Sequence, residues 1–519
     1  METRSDVNPT TGPSHRRLVA NWLAIGALLL LMLAAWAVAI PLMASPDEPS
    51  HVVKAAAVAR GQWGGVLGPA PTDTSRPGAG TIVQLPSDFA EVISLPDCFA
   101  FHPDVSAGCQ QAVAPAVGGL VPVETFAGQY PPLYYLLVGW PSLVLGAEAS
   151  IYGMRLVSAV LTAVLLTWGA FRLSQLPRRH PLTWGIAVAV TPMCLFLGAT
   201  VNPQGLEIAA AFSFWAACLH LVASREAPST AALVQAAVSG ALLVNVRASS
   251  PLWALTVIVV ALVLAPAGRW RAVVRHPAAR WVGASAVAAS VTAIAWVALH
   301  GTVVSGSGLY PRYADLRRTV FDVAASSNDY LLNMIGNFGW LDAPVPPETS
   351  IAWYLVGGSL LLLGFAVWAT ARQKAALALL ALAVIGAPFV LQLPTAASVG
   401  LVWQGRYALP IAIGLPLVAA VLISQASSDV EELVRRMVRA GVPILVVGHV
   451  AAFWSASRRY SEGRGGDLTT LAPHWSSPIG YLTGVGLYAL VTCCLGYLIW
   501  HASRAAPAPT QASALPAAG

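Results

Sequence analysis

Two adjacent carboxylates, Asp47 and Glu48, follow directly on a long apolar run, in the segment SPDEPSHVVKA at 45–55. His51 comes four residues after Asp47, and Lys54 three after His51. A helix started by Pro46 carries Asp47, His51 and Lys54 on one face, with the acids in its first turn where the dipole favours them. A carboxylate at a bilayer edge can act as a general base on an acceptor hydroxyl, or as a metal ligand. Partial burial raises its pKa toward neutrality, where a base works best. A capped juxtamembrane helix without chemistry is the structural alternative, and the segment alone leaves both open.

Further polar groups stand at the ends of apolar runs. TVNPQGLE at 200–207 supplies Asn202, Gln204 and Glu207, and NVRASSP at 245–251 supplies Arg247. WQGRYALP at 403–410 supplies Gln404, Arg406 and Tyr407. Arg155 opens another run, and FGWLDAP at 338–344 adds Asp342. Glu207 is either a partner of a helix N-terminus or a site residue. Arg247 suits a lipid phosphate, or it snorkels to headgroups. The sequence carries no Walker loop, dinucleotide-binding glycine pattern, GxSxG elbow or metal-ligand His/Cys spacing. Chemistry here therefore draws its energy from a substrate already in the membrane.

What must hold these groups is a bundle of spanning helices. Of 519 residues, 56% are apolar and only 10% charged, against about 25% charged in globular domains. The mean hydropathy is +0.67. Spans of roughly 20 apolar residues fall near 20–42, 152–174, 182–199, 205–223, 231–246, 249–265, 281–300, 351–371, 375–393, 405–424, 440–456 and 479–501. The expected fold is an all-α polytopic membrane protein of about twelve transmembrane helices, with a long outer loop after the first. The run 131–147 could make a thirteenth span, and charge decides against it. With twelve, one side holds 17 Lys/Arg and 6 Asp/Glu, the other 12 Lys/Arg and 17 Asp/Glu. The positive-inside rule then sets both termini in the cytoplasm and makes 131–147 an amphipathic or re-entrant helix on the outer surface. The net charge of +6 lies in short clusters between spans, which excludes a nucleic-acid face.

The expected organisation is a cytoplasmic tail over 1–19 and a membrane core over 20–424 with outer loops 43–151 and 301–350. C-terminal membrane helices over 425–501 and a disordered cytoplasmic tail over 502–519 follow. Cys98 and Cys109 lie in the first outer loop, where an oxidising compartment favours a disulfide. A metal site with His102 and Asp104, or two free thiols, are the lesser readings. Asp47, Glu48, Arg155, Glu207, Arg247 and Arg406 all fall on the outer face. Charges at membrane depth are expensive, so such a collection suggests a site.

At these residues the chain resembles the GT-C superfamily of polytopic glycosyltransferases, which use polyprenyl-phosphate-linked sugars. The shared plan is an acidic pair after the first span, here Asp47-Glu48, then YPPLYY at 130–135 and RLVSA at 155–159. More narrowly it resembles the predicted membrane proteins of domain-of-unknown-function family 2142, common in actinobacteria. PDEPSH at 46–51, VNPQGLE at 201–207, FGWLD at 338–342 and QGRY at 404–407 carry that likeness. The resemblance implies an inverting transfer to a cell-envelope glycan or glycolipid, outside the cytoplasmic membrane. Asp47 would be the catalytic base with Glu48 assisting, Arg247 and Arg406 would hold the donor phosphate, and His51 and Lys54 would line the acceptor groove. Tyr130, Arg155, Asn202, Gln204, Glu207, Asp342, Gln404 and Tyr407 join them as substrate-binding candidates. The wider superfamily often has His where this chain has Tyr130. No cofactor is expected. Superfamily members divide over a divalent metal, and Asp47 and Glu48 are the only evident ligands. A transporter or flippase of lipid-linked precursors is the main alternative, but it calls for charges at mid-span where few stand; a non-catalytic assembly protein is a further one.

Overall fold

A computed structural model describes residues 15–68, 80–300, 310–367, 369–426, 428–468 and 471–504. The two tails lie outside this set except for 15–19 and 502–504. The chain opens with helix α1 (His15–Ala39), followed by α2 (Glu48–Ala59) and a short α3 (Leu133–Val138). Then come α4 (Ala147–Ser174), α5 (Arg179–Ala189), α6 (Pro192–Gly198), α7 (Pro203–Ala223), α8 (Thr230–Val244), α9 (Ser250–Leu264) and α10 (Ala279–His300). After α11 (Ser327–Ile335) the bundle closes with α12 (Pro347–Ala366), α13 (Ala371–Gln392), α14 (Gly405–Ser424), α15 (Ser428–Glu462) and α16 (Tyr481–Ala502).

Among the described residues, nine helices are long and apolar enough to cross a bilayer, and a bent pair makes a tenth. The pair is α5 and α6, which meet at 64°. Pro192 causes the break: it has no N–H to continue a helix and holds Thr191 extended. The Thr191 side chain then caps α6 by accepting from Cys194 N. The runs expected at 231–246 and 249–265 form α8 and α9, of 15 residues each, so they are shorter than full spans. The stretch 131–147 does not cross. It is six-residue α3 plus a 3₁₀ turn over Trp140–Leu143, with Tyr134 and Tyr135 buried and Leu136, Leu143 and Val144 exposed.

Helix α7 is the axis of the bundle, with α4, α8, α6 and α9 packed around it. It is enclosed along nearly all its length, whereas α10 lies at the periphery. An outer layer caps one end of the spans. In it, strands β1 (Val66–Leu67), β2 (Thr81–Pro86) and β3 (Leu120–Thr125) form an antiparallel sheet in that order, with Thr81 opposite Thr125. Helix α2 lies between this sheet and α3. Cys98 and Cys109 are joined in a disulfide within the layer. Arg459, near the end of α15, clamps the same loop. Its guanidinium donates to the carbonyls of Phe99, His102 and Val105 and pairs with Asp342 at 2.6 Å.

Gly405 fixes the approach of α14 to α11. A Cβ there would sit 1.7 Å from the Tyr330 carbonyl oxygen, and backbone cannot yield as a side-chain tip can. Gly405→Ala is expected to lower the melting temperature of purified protein, at about 1–3 kcal/mol for such overpacking. An unchanged melt would show that the two segments are not held at this distance.

Candidate functional site

The acidic pair divides into one open and one sealed carboxylate. Helix α2 begins at Glu48 rather than at Pro46, with Pro49 in its first turn and Asp47 as N-cap. Asp47 sits in the left-handed region at φ 61°, a conformation Asp tolerates better than most residues. Its carboxylate makes no capping bond. The side chain is 56% exposed and pairs with Arg406 Nη2 at 3.3 Å.

Glu48 is fully buried, and this corrects its expected assisting role. Its carboxylate takes Arg155 Nε at 2.8 Å and Nη2 at 2.5 Å, and Oε1 also accepts from Val201 N. Arg155 spends its remaining donors on the carbonyls of Ala37, Ile40 and Pro41, where α1 ends. Every N–H of the guanidinium is therefore engaged. Neither side chain has surface with which to touch a substrate, so Arg155 is a fold-holding residue too.

Other expected binding residues are also structural. Asn202 caps α7 by accepting from Gln204 N and donates to the Pro46 carbonyl, which locks the acidic turn to that helix. Lys54 is buried under the Tyr135 and Trp296 rings and donates to the carbonyls of Trp63 and Gly128. Burial lowers its pKa to about 8. Lys54 thus ties α2 to the outer layer and cannot line a groove. Asp342 pairs with Arg459 through Oδ2, as above, leaving its buried Oδ1 without a partner among the described residues, and Glu207 is buried between Arg247 and Ser250.

What remains open forms one cluster around Asp47. Arg247, in the turn between α8 and α9, pairs with Glu207 at 3.3 Å and lies over the rings of Tyr407 and Tyr130 at 5.0 and 6.0 Å. Burial is the strongest single influence and would lower its pKa, but Glu207 together with Tyr130 and Tyr407 outweighs it and the net direction is up, so the charge is permanent. Arg406 lies over Tyr407 at 5.4 Å. Arg406 Nε, Gln404 Oε1 and Gln204 Nε2 are buried without a hydrogen-bond partner among the described residues. Such atoms cost about 1–3 kcal/mol each unless a ligand satisfies them. The cluster can therefore place two fixed cations, aromatic faces and unspent polar atoms beside one accessible carboxylate.

Beneath it lies His51, half-way between site and scaffold. Its Nδ1 shares a 2.9 Å hydrogen bond with Tyr135 Oη, and its ring meets Tyr130 edge-on. Burial drives its pKa down to about 3 against the pull of Asp47, with Arg247 and Arg406 adding to the drop. His51 is thus neutral at pH 7. Tyr135 supports this cluster and Arg459 the loop beside it although the sequence did not single them out, and Ser250, which flanks Arg247 in the sequence, bonds Glu207. Tyr135 and Ser250 stand inside the quoted segments YPPLYY and NVRASSP, so their neighbours were the available signal.

Backbone strain gathers around the acidic turn. Five non-glycine residues among those described have positive φ, and Met43, Asp47, Phe101 and Leu341 are four of them. Trp340 joins them, donating from Nε1 to the Met43 carbonyl and packing on Phe101. Residues so held cluster at functional sites. For a divalent ion the donor set does not fit: only Asp47 is an accessible carboxylate here, and the described residues contain no group of three metal-ligating side chains.

A family model for predicted membrane proteins (DUF2142) matches residues 30–415, which includes every residue of this cluster. The chain belongs to that family. The DUF2142 match reaches from mid-α1 to the start of the last straight part of α14. None of the curated proteins matches the chain. Among solved structures it is similar to ArnT from Cupriavidus metallidurans bound to undecaprenyl phosphate, at 13% identity over 94% of this chain and 78% of that one, with a TM-score of 0.42.

Two predictions follow from the split of the acidic pair. Removing one partner of a buried ion pair costs about 3–5 kcal/mol, so Arg155→Met is expected to cut thermal stability steeply, while Asp47→Asn changes it little. Equal melting of the two variants would mean that the buried pair does not hold the fold. His51 binds its proton far more weakly folded than unfolded, so the unfolded state takes up more protons between about pH 6.5 and pH 3. Stability is therefore whole above pH 6.5 and falls as pH drops through that window. His51→Gln should flatten this acid slope in a melting series; a slope identical to the parent's would assign it to other groups.

Proposed function

We propose that this chain is an inverting glycosyltransferase of the GT-C kind, moving a sugar from a polyprenyl-phosphate donor to a cell-envelope glycan or glycolipid. The observation that carries the reading is Asp47: an exposed, uncapped carboxylate in a strained turn, 3.3 Å from Arg406 and grouped with Arg247. Asp47 takes the proton of the acceptor hydroxyl as its oxygen attacks the anomeric carbon. The bond to the donor phosphate breaks with its electron pair going to the phosphate oxygen, where Arg247 and Arg406 stabilise the charge. A single displacement of this kind inverts the anomeric centre. The donor phosphate competes with Asp47 for Arg406, which frees the carboxylate as the substrate arrives. Tyr130, Tyr407, Gln404 and Gln204 supply apolar faces and unspent polar atoms for the sugar and its lipid phosphate.

The positive-inside pattern supports an outer site in the cytoplasmic membrane, with both termini inside. Val117 is exposed in the outer layer and Ala267 is exposed at the other end of the bundle. A cysteine at 117 is expected to react with an impermeant maleimide on intact cells, and one at 267 only after permeabilisation. Purified protein given polyprenyl-phosphate sugars and envelope acceptors should transfer sugar. Asp47→Asn should lose about 10²- to 10⁴-fold of that rate, the range of a general base, with its melting temperature kept. Full transfer by Asp47→Asn sinks the assignment of the base, and the reverse labelling pattern sinks the orientation.

A further inference from the structure

At the end of the bundle remote from Asp47, the helices part around a cavity of about 1820 Å³. Sites for small ligands run to roughly 300–1,000 Å³, so this space suits a larger occupant. Its interior is apolar, with Met32, Leu166, Leu195, Phe212 and Val442 among its walls. Its mouth is basic. Arg178, Arg179, Arg225, Arg269 and Arg435 line it, against Glu431 and Glu432. The two glutamates are taken up by Arg178, at 3.8 Å, and by Arg435 and Arg436. Among the described residues Arg179, Arg225 and Arg269 have no carboxylate partner, so the mouth keeps an excess of positive charge.

Two independent features mark the mouth as more than a gap. Arg178 Nη1 and Arg435 Nε are buried there with no hydrogen-bond partner among the described residues. Arg178 is also the fifth residue with positive φ, at 55°, and the one that lies away from the acidic turn. A bulky side chain rarely accepts that conformation, and here it sets the guanidinium where α5 begins.

We propose that this cavity binds an anionic phospholipid of the surrounding leaflet, with the phosphate at the arginine mouth and the acyl chains in the apolar interior. A hydrocarbon interior under a mouth where arginines outnumber glutamates, with Arg179 and Arg225 free of any carboxylate among the described residues, matches that amphiphile at both ends. Basic pockets between transmembrane helices on the cytoplasmic side are known to take such head groups. A zwitterionic lipid fills the interior equally well but leaves the mouth's charge uncompensated. The site is separate from the proposed sugar transfer and does not depend on it.

The test uses the full chain in detergent, delipidated and offered phosphatidylglycerol or phosphatidylcholine, with bound lipid read by native mass spectrometry. Phosphatidylglycerol should be retained in preference to phosphatidylcholine. Arg179 and Arg225 are exposed and hold no ion pair, so Arg179→Gln with Arg225→Gln should leave the fold's melting temperature unchanged. That double variant should weaken phosphatidylglycerol binding about thirtyfold, at about fivefold per arginine. A second variant, Ala187→Trp, fills the cavity wall and should reduce the retention of both lipids. Equal retention of the two lipids by the parent overturns the proposal. So does full preference in the double arginine variant, or undiminished binding in Ala187→Trp.

Discussion

The ion pair between Arg155 and Glu48 is the constraint on which the outer end of this protein depends. It joins three elements that the chain supplies far apart: the last carbonyls of α1, the start of α2 and the body of α4. Two charges buried at the edge of a bilayer are tolerable only when each is fully bonded, and these are. The consequence for Asp47 is directional. With Glu48 held inward, its neighbour is turned out through a left-handed turn, where its carboxylate pairs with Arg406. The sealed carboxylate thus positions the open one.

The same device recurs around the site. Asp342 with Arg459 binds the disulfide loop to α15, and Glu207 with Ser250 holds Arg247. In each case one charged group meets the open cluster or a loop, and its partner serves the scaffold. Lys54 and His51 extend this inward, one fastened to carbonyls and one kept neutral by burial. The cluster is a thin layer of accessible groups on a bed of buried ion pairs and hydrogen bonds, which preserves its geometry.

Much of the fold was legible because hydropathy is a local property. Each of the twelve expected spans corresponds to a helix or helix pair, and charge asymmetry alone kept 131–147 out of the bilayer. The gathering of Asp47, Arg247 and Arg406 was legible too, since short motifs at the ends of spans on one side must meet. The division of labour within the cluster was not. Adjacent residues such as Asp47 and Glu48 differ only in which way the turn sends them, and that is set by Arg155, 107 positions away. Likewise Asp342 reads as a site residue until Arg459 appears beside it from the C-terminal region, where the sequence offered hydropathy and little else.

The brevity of α8 and α9 bears on how lipid meets this protein. A helix of 15 residues rises about 22 Å, short of the roughly 30 Å hydrocarbon core of a bilayer. Both helices leave apolar side chains such as Val234, Val238, Leu255 and Ile258 outward. On that flank the bilayer must thin, or the turn must sink, to remove the mismatch. Arg247 occupies that turn. Under the proposed transfer, a lipid donor approaching along this side would meet a thinner stretch of membrane, so the depth of the bilayer itself would become part of how Arg247 is reached.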